Sequence, residues 1–145
     1  MKKKNSFIPY SRHYCDRKDI KNLINALKSN YVSQGPKQKE FANNLRKITK
    51  SKYVTVLNSA TSALHTACAS LGLKKNDILW TVPITWPASA NCGLYCGAKI
   101  DFVDIDETTY NICTKKLLKK LIYSKKKKIL PKILVVVHLA GNQCD

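Results

Sequence analysis

A hydroxyl-rich turn follows an apolar run near the middle of the chain and could bind an anion. Residues 53–57 read YVTVL, and the stretch LNSATSAL covers residues 57–64. If a strand turns into a helix here, the first helical N–H groups lack partners within the helix and favour a phosphate. Ser59, Ala60 and Thr61 lie at that position, with small side chains and two hydroxyls. The alternative, which the sequence leaves open, is that Ser59 only caps the helix.

A tryptophan on a proline-braced loop could supply an aromatic surface. The stretch TVPITWPASAN covers residues 81–91, with Trp86 between Pro83 and Pro87. An indole just past a strand could lie flat on an aromatic ligand, or it could belong to the core or to an interface. No GxxxxGK[ST] or GxGxxG motif is present, so neither a Walker loop nor a dinucleotide fingerprint applies. A phosphate site and an aromatic surface together suit a phosphorylated aromatic cofactor.

The elements that must position these residues alternate between strand and helix patterns. Strands are predicted at residues 53–57, 78–82, 100–103 and 132–138, and helices at residues 61–71, 87–96 and 114–123. Near-continuous apolar strands separated by helices predict an α/β fold, with a mainly parallel sheet covered by helices on both faces. Ligands of such sheets bind at the carboxyl ends of the strands, where the turn and Trp86 lie.

Residues 1–52 read as an N-terminal helical segment. Asp16 and Asp19 have the spacing of a capping box for a first helix, and Pro36 suits the first turn of a second. The pattern after residue 52 contains only about four strands and stops after HLAGNQCD. We therefore expect residues 53–145 to be part of a larger α/β domain, truncated at its C-terminal side.

Composition narrows the function classes. The chain has 145 residues, six cysteines and a net charge of +17. The cysteines form no zinc-ligand set, so no metal site is predicted. They are expected to be small buried residues in a reducing compartment.

No apolar run reaches the length of a membrane span and no signal peptide is recognised, which predicts a cytoplasmic protein without a membrane partner. Lysine supplies nearly all the basic charge, and the only arginines are Arg12, Arg17 and Arg46. Nucleic-acid binding is therefore a weak alternative.

Several stretches occur in an order that resembles the nucleotide-sugar aminotransferases of the DegT/DnrJ/StrS type. They are PYSR (9–12), VSQGP (32–36), VLNSATSAL (56–64), TVPITWPASAN (81–91), LYCGAKIDFVDID (94–106), TYNI (109–112) and VVVHLAGNQCD (135–145). The resemblance implies a fold-type I, aspartate aminotransferase-like large domain dependent on pyridoxal 5′-phosphate (PLP). PYSR, NSATSAL and PITW are most similar to the transaminases of pseudaminic acid synthesis, which use glutamate and a UDP-linked 4-keto-6-deoxy sugar.

The resemblance also implies roles for individual residues. Those matching Ser59, Ala60 and Thr61 contact the PLP phosphate, and the aromatic residue matching Trp86 stacks on the pyridine ring. The residues that approach the sugar nucleotide match Tyr10, Asn30, Tyr31, Val32 and Ser33. The resemblance further implies a homodimer, in which the partner subunit completes each site.

The catalytic groups of the family have no counterpart in this chain. The lysine that forms the Schiff base and the aspartate that pairs with the pyridine nitrogen lie beyond the position matching Asp145. We therefore expect this fragment alone to be inactive, and we interpret His138 as structural. Two alternatives stay open: a PLP-dependent sugar dehydratase of the same family, in which histidine replaces the lysine, and a non-catalytic basic protein that binds anions or nucleic acid.

Overall fold

The computed structural model describes residues 7–9, 11–31 and 33–145, and the chain divides into two units, Met1–Val56 and Leu57–Asp145. Two predicted substrate-binding residues, Tyr10 and Val32, lie outside the described residues. The predicted domain boundary after residue 52 stays a prediction.

The first unit contains two helices, α1 (Arg17–Leu27) and α2 (Pro36–Thr49). The predicted capping box opens α1: Asp16 accepts the Asp19 N–H at 2.9 Å, and Asp19 accepts the Asp16 N–H at 2.9 Å. Pro36 begins α2, as predicted, where its missing N–H costs no helical hydrogen bond. Neither helix contains a buried residue.

Residues 53–57 form no strand, so this prediction is wrong. The apolar, β-branched sequence favours extended backbone. A strand also needs a hydrogen-bonded neighbour, and none of the strands of the described sheet pairs with this segment. Tyr53 is accordingly exposed.

The second unit is built around a parallel sheet, which confirms the predicted α/β fold. Its strands are β1 (Ile78–Thr81), β2 (Lys99–Phe102) and β3 (Ile133–Leu134), in the order β2-β1-β3. The register places Leu79 of β1 opposite Ile100 of β2 and Ile133 of β3. All three strands end on the same side of the sheet, which we call the carboxyl edge. The opposite side, where the strands begin, is the amino edge.

The last strand is shorter than the predicted residues 132–138. Its pairing with β1 continues only through Val135, whose N–H donates to the Trp80 carbonyl at 2.8 Å. The Thr81 hydroxyl then donates to the Val135 carbonyl at 3.1 Å. Beyond that point β1 has ended, and no other strand among the described residues pairs with this segment to extend the ladder.

Helices cover both faces of the sheet, because alternate residues of β1 point to opposite sides. On one face, α3 (Ala60–Ser70) and α4 (Ala88–Tyr95) pack over a buried cluster formed by Cys68, Leu73, Leu79, Cys92 and Ala98. On the other, α5 (Thr114–Lys127) packs through Leu117 and Leu121. The cluster there contains Trp80, Val82, Val103, Ile105 and Ile112.

The cysteines differ in their environments. All six are free thiols; Cys68 and Cys92 are buried, as predicted, whereas Cys15 is exposed. Burial, with a hydrogen bond to Cys92, raises the pKa of the Cys68 thiol to about 11. This thiol is therefore protonated and unreactive at neutral pH.

Two kinds of feature are absent from the part of the chain that the structure describes. None of its helices is both long and apolar enough to cross a membrane. None of its His, Cys, Asp and Glu side chains gather in groups that could hold a metal ion.

Candidate functional site

Two helices begin at the carboxyl edge of the sheet. A short turn connects the end of α3 to the start of β1, and residues 82–87 connect the end of β1 to α4. Both helices therefore run opposite to β1, and they pack side by side, with the rings of His65 and Tyr95 in a T-shaped contact at 5.3 Å. Both N-termini direct the positive end of the helix dipole toward this edge, and α3 also directs free N–H groups there.

Ser59 is the N-cap of α3. Its hydroxyl oxygen accepts the Ser62 N–H at 3.1 Å, and its O–H donates to the Ser62 hydroxyl oxygen at 3.1 Å. Ser59 therefore caps the helix, while its predicted contact with the phosphate stays a prediction. Because its hydroxyl hydrogen is already engaged, Ser59 is the least available of the predicted phosphate-binding residues.

Ala60 and Thr61 provide the free donors of this turn. Neither of their N–H groups, nor the Thr61 hydroxyl, has a hydrogen-bond partner among the described residues. Ala60 is exposed and Thr61 is half-buried. Three donors next to a methyl side chain at a helix N-terminus fit a phosphate group.

Trp86 lies on the neighbouring loop, and 77% of its surface is exposed. Two hydrogen bonds hold the base of this loop. The Trp86 carbonyl accepts the Ser89 N–H at 3.0 Å, and the hydroxyls of Thr85 and Ser89 are 2.9 Å apart. The indole is therefore presented by a fixed backbone and free to stack on a flat ring. Sequence reasoning missed the Thr85–Ser89 pair, whose signal is two hydroxyl residues four positions apart across the Trp-Pro step.

Asn111 is a second residue that sequence reasoning missed, although it lies in the TYNI stretch. It is buried, and its carboxamide connects to the segment that follows β3. The amide nitrogen donates to the carbonyls of Asn142 and Gln143 at 3.0 and 3.2 Å, and the amide oxygen accepts the Leu139 N–H at 3.1 Å. An asparagine after a strand-and-turn pattern gives no sequence signal for contacts so distant in the chain.

His138 has a structural contact, in agreement with the prediction. Its Nδ1 accepts the Cys144 N–H at 3.0 Å, which closes the chain between these residues into a loop. The Cys144 thiol donates to the Val137 carbonyl at 3.2 Å.

The remaining described residues of the predicted substrate set lie in the first unit, on the connection between α1 and α2. They are Asn30, Tyr31 and Ser33. Tyr31 and Ser33 line a pocket of about 250 Å³, together with Gly35 and Pro36; Asn30 lies beside it in sequence. The pocket is large enough for part of a sugar nucleotide rather than all of it.

A family comparison identifies the chain. Residues 13–145 match the DegT/DnrJ/EryC1/StrS aminotransferase family. The chain belongs to this family. This match confirms the predicted resemblance. It is consistent with the parallel sheet and with the free hydrogen-bond donors at the start of α3.

Individual relatives support the same assignment. The chain is 44% identical, over 79% of its length, to the UDP-4-amino-4,6-dideoxy-N-acetyl-beta-L-altrosamine transaminase of Campylobacter jejuni. It is 32% identical over its full length to the spore coat polysaccharide biosynthesis protein SpsC of Bacillus subtilis. Its structure superposes on the PLP-form of the Streptococcus pneumoniae sugar aminotransferase Spr1654 with a TM-score of 0.83 at 28% identity, covering 95% of this chain and 34% of the other.

The chain matches only part of each relative. It spans 30% of the Campylobacter jejuni protein and 36% of SpsC. Another structural relative is Helicobacter pylori PseC, an aminotransferase involved in the biosynthesis of pseudoaminic acid. The two structures superpose with a TM-score of 0.79 at 27% identity, and the match covers 94% of this chain and 36% of PseC.

Proposed function

We propose that this chain supplies the cofactor-phosphate and ring contacts of a PLP-dependent aminotransferase that acts on a nucleotide sugar. The observation that carries the proposal is the pairing, at the carboxyl edge, of free donors on Ala60 and Thr61 with the exposed ring of Trp86. PLP as the family's cofactor agrees with the PLP-form of the Streptococcus pneumoniae relative. The two features match the two ends of PLP, an anionic phosphate and a flat pyridine ring.

Each residue would act by binding or orientation. The N–H groups of Ala60 and Thr61 would hold the phosphate at the positive end of α3, and the Thr61 hydroxyl would add a third donor. Trp86 would fix the tilt of the ring from one side and exclude water from that face. When bound, PLP supplies the electron sink for amino-group transfer. The catalytic lysine and the aspartate at the pyridine nitrogen would belong to the part of the relatives' length that this chain does not span.

The substrate we propose is a UDP-linked 4-keto-6-deoxy sugar, aminated at C4 with glutamate as donor for pseudaminic acid or a related surface polysaccharide. Support comes from the relatives named for this transaminase and for pseudoaminic acid biosynthesis. The working form would be a homodimer, with Tyr31 and Ser33 near the sugar nucleotide. The dehydratase alternative would give a deoxygenated sugar and no amine.

The test is a cofactor and product assay on the native protein expressed from its gene. We expect PLP absorbance in the purified protein and glutamate-dependent conversion of the 4-keto sugar to the 4-amino sugar, detected by mass. Loss of a hydroxyl without gain of an amine would favour the dehydratase, and absence of both PLP and product would contradict the proposal.

Matched variants of Trp86 test the stacking role. Trp86→Ala should lose PLP faster on dialysis than the wild type. Trp86→Phe, which retains a flat ring, should lose PLP more slowly than Trp86→Ala. Equal retention by Trp86→Ala and the wild type would rule out stacking.

A further inference from the structure

The residues before α5 form a rigid support for Asn111. The carboxylate of Asp106 accepts the N–H groups of Thr108 and Thr109 at 3.0 and 3.1 Å, and its backbone N–H donates to the Asn111 carbonyl at 2.9 Å. Ile105 and Ile112 pair across this turn in an antiparallel bridge and are both buried. Hydrogen bonds led by that from the Thr108 hydroxyl lower the pKa of Asp106, so this carboxylate stays charged at neutral pH. These contacts within residues 105–112 thus fix the backbone of Asn111.

The segment that Asn111 contacts has an unusual backbone. Ala140 and Gly141 are consecutive residues in the left-handed region, with φ of 52° and 82°. For alanine that conformation is unfavourable, so the bend persists only where its surroundings hold it. Asn111 contacts the backbone on both sides of the bend, at Leu139 and at Asn142 and Gln143.

The amide of Asn111 fits these contacts in one orientation only. Rotating it by half a turn would point its NH₂ group at the Leu139 N–H and its oxygen at two carbonyls. Aspartate has nearly the same shape but would keep only the contact with Leu139. The three bonds therefore require asparagine, rather than any polar residue of this size.

The bend lies at the same edge as the proposed cofactor contacts. β1 and β3 are neighbouring parallel strands, so the segments that follow them leave the sheet side by side. Val137 and Cys144, on either side of the bend, pack against the cluster that contains Val82, the first residue after β1 and the start of the loop that carries Trp86.

From this geometry we infer that Asn111 is a positioning residue: its carboxamide holds the left-handed bend of residues 139–143 at the carboxyl edge and so shapes the cofactor site. The effect on the cofactor rests on the proposed function, whereas the effect on the bend does not. Asn111 itself touches no reacting group in this assignment.

The experiment compares the native protein with Asn111→Asp. Amide hydrogen exchange measures the bend directly, and the rate at which the holoenzyme releases PLP measures its effect on the site. In Asn111→Asp we expect the amides of residues 139–144 to exchange at least about tenfold faster, with exchange in β1 and α4 unchanged. PLP should be released several-fold faster. Asn44→Asp makes the same chemical change at an exposed position of α2, in the other unit of the chain, and should alter neither.

A second variant disturbs the bend without touching Asn111. Gly141→Ala introduces a Cβ that meets no atom within 4 Å, so its effect comes only from the left-handed backbone. It should accelerate exchange of the same amides even if Asn111→Asp fails to fold. Gly72→Ala carries a similar strain, at φ +72°, at the amino edge, and should leave residues 139–144 protected.

The outcomes separate the two proposals. Unchanged exchange in Asn111→Asp, or in Gly141→Ala if Asn111→Asp does not fold, overturns the role of Asn111. Faster exchange with unchanged PLP release also overturns it as a positioning residue, because the bend would then be structural only. If the wild-type holoenzyme never retains PLP, the proposed function fails, and the exchange data alone decide whether Asn111 holds the bend.

Discussion

Ser59 and Thr61 lie two positions apart in one helical turn, yet their hydroxyls meet different surroundings. The Ser59 hydroxyl is engaged with Ser62, while the Thr61 hydroxyl has no partner among the described residues. A hydroxyl that already caps a helix contributes mainly to stability, and a free one contributes mainly to a ligand. The two roles can therefore be separated by mutation.

Thr61→Val should weaken PLP binding by about tenfold, since it removes one hydrogen bond to a charged group while keeping the β-branched shape. Ser59→Ala should instead lower the free energy of unfolding by about 1 kcal/mol through loss of the N-cap. PLP titration and urea unfolding of both variants measure the two effects. A larger loss of PLP affinity in Ser59→Ala than in Thr61→Val would contradict this division.

At the scale of elements, Gly93 allows α4 to lie directly on the sheet. A Cβ at this position would come within 2.5 Å of the Ile100 Cδ1 and 3.1 Å of the Leu79 Cδ1. The helix can pack this closely only without a side chain there. This contact sets the distance between the C-terminal half of α4 and the strands.

Gly93→Ala should therefore destabilise the protein by about 1–3 kcal/mol through overpacking, despite the higher helix propensity of alanine. Ile100→Val removes the atom nearest to the new methyl group. The double variant Gly93→Ala/Ile100→Val should be more stable than the sum of the single changes predicts, as measured by urea unfolding. Strict additivity would show that the clash is relieved elsewhere.

An ion pair fastens the start of β3 to the turn before β1. Lys132 Nζ donates to Asp77 at 3.0 Å and to the Gly72 carbonyl at 2.6 Å. The hydrogen bond from Lys132, followed by that from the Lys74 N–H, lowers the pKa of Asp77. Because the folded-state pKa is depressed, this stabilisation is fully present above about pH 4 and is lost as pH falls through the lowered pKa.

Asp77→Asn should make the free energy of unfolding at pH 7 smaller and its decline below pH 4 shallower. Urea midpoints between pH 7 and pH 2 measure both effects. Glu107→Gln serves as the control, since the Glu107 side chain is exposed and accepts no hydrogen bond in the described part of the chain. An acid profile of Asp77→Asn that parallels the wild type would rule out this role.

The elements that the sequence predicted well are those with local signals. The capping box of Asp16 and Asp19, the proline that begins α2 and the helical pattern at residues 87–96 all depend on neighbours within a few residues. The strand at residues 53–57 could not be judged locally, because a strand depends on a partner that the same residues do not specify. The contacts of Asn111 could not be predicted locally either, because its partners are about 30 positions away in the chain.

For the whole molecule, the net charge is +17, and several of the lysines that supply it are engaged in contacts within the fold. Lysines 37, 116, 120 and 132 pair with carboxylates among the described residues. Lys120 also lies 4.8 Å from the centre of the Trp80 ring, a stabilising cation–π contact. Lysines used in this way support the fold and are less free to contact a phosphate backbone.

Duplex DNA should therefore bind weakly and without sequence preference, through diffuse attraction alone. We expect the complex seen at low salt to disappear by roughly 200 mM salt, because released counterions oppose binding. Fluorescence anisotropy with two unrelated duplexes over a salt series measures this. Sequence-selective binding that survives this salt would instead favour the nucleic-acid alternative.

The two tryptophans of the chain occupy opposite environments, with Trp80 1% exposed and Trp86 77% exposed. Their fluorescence should therefore separate into a blue component, which dissolved acrylamide quenches poorly, and a red component, which it quenches well. A chromophore seated on Trp86 would extinguish the red component first, while unfolding would shift the blue one. The protein thus carries separate optical reporters for its edge and its core, and neither requires a label.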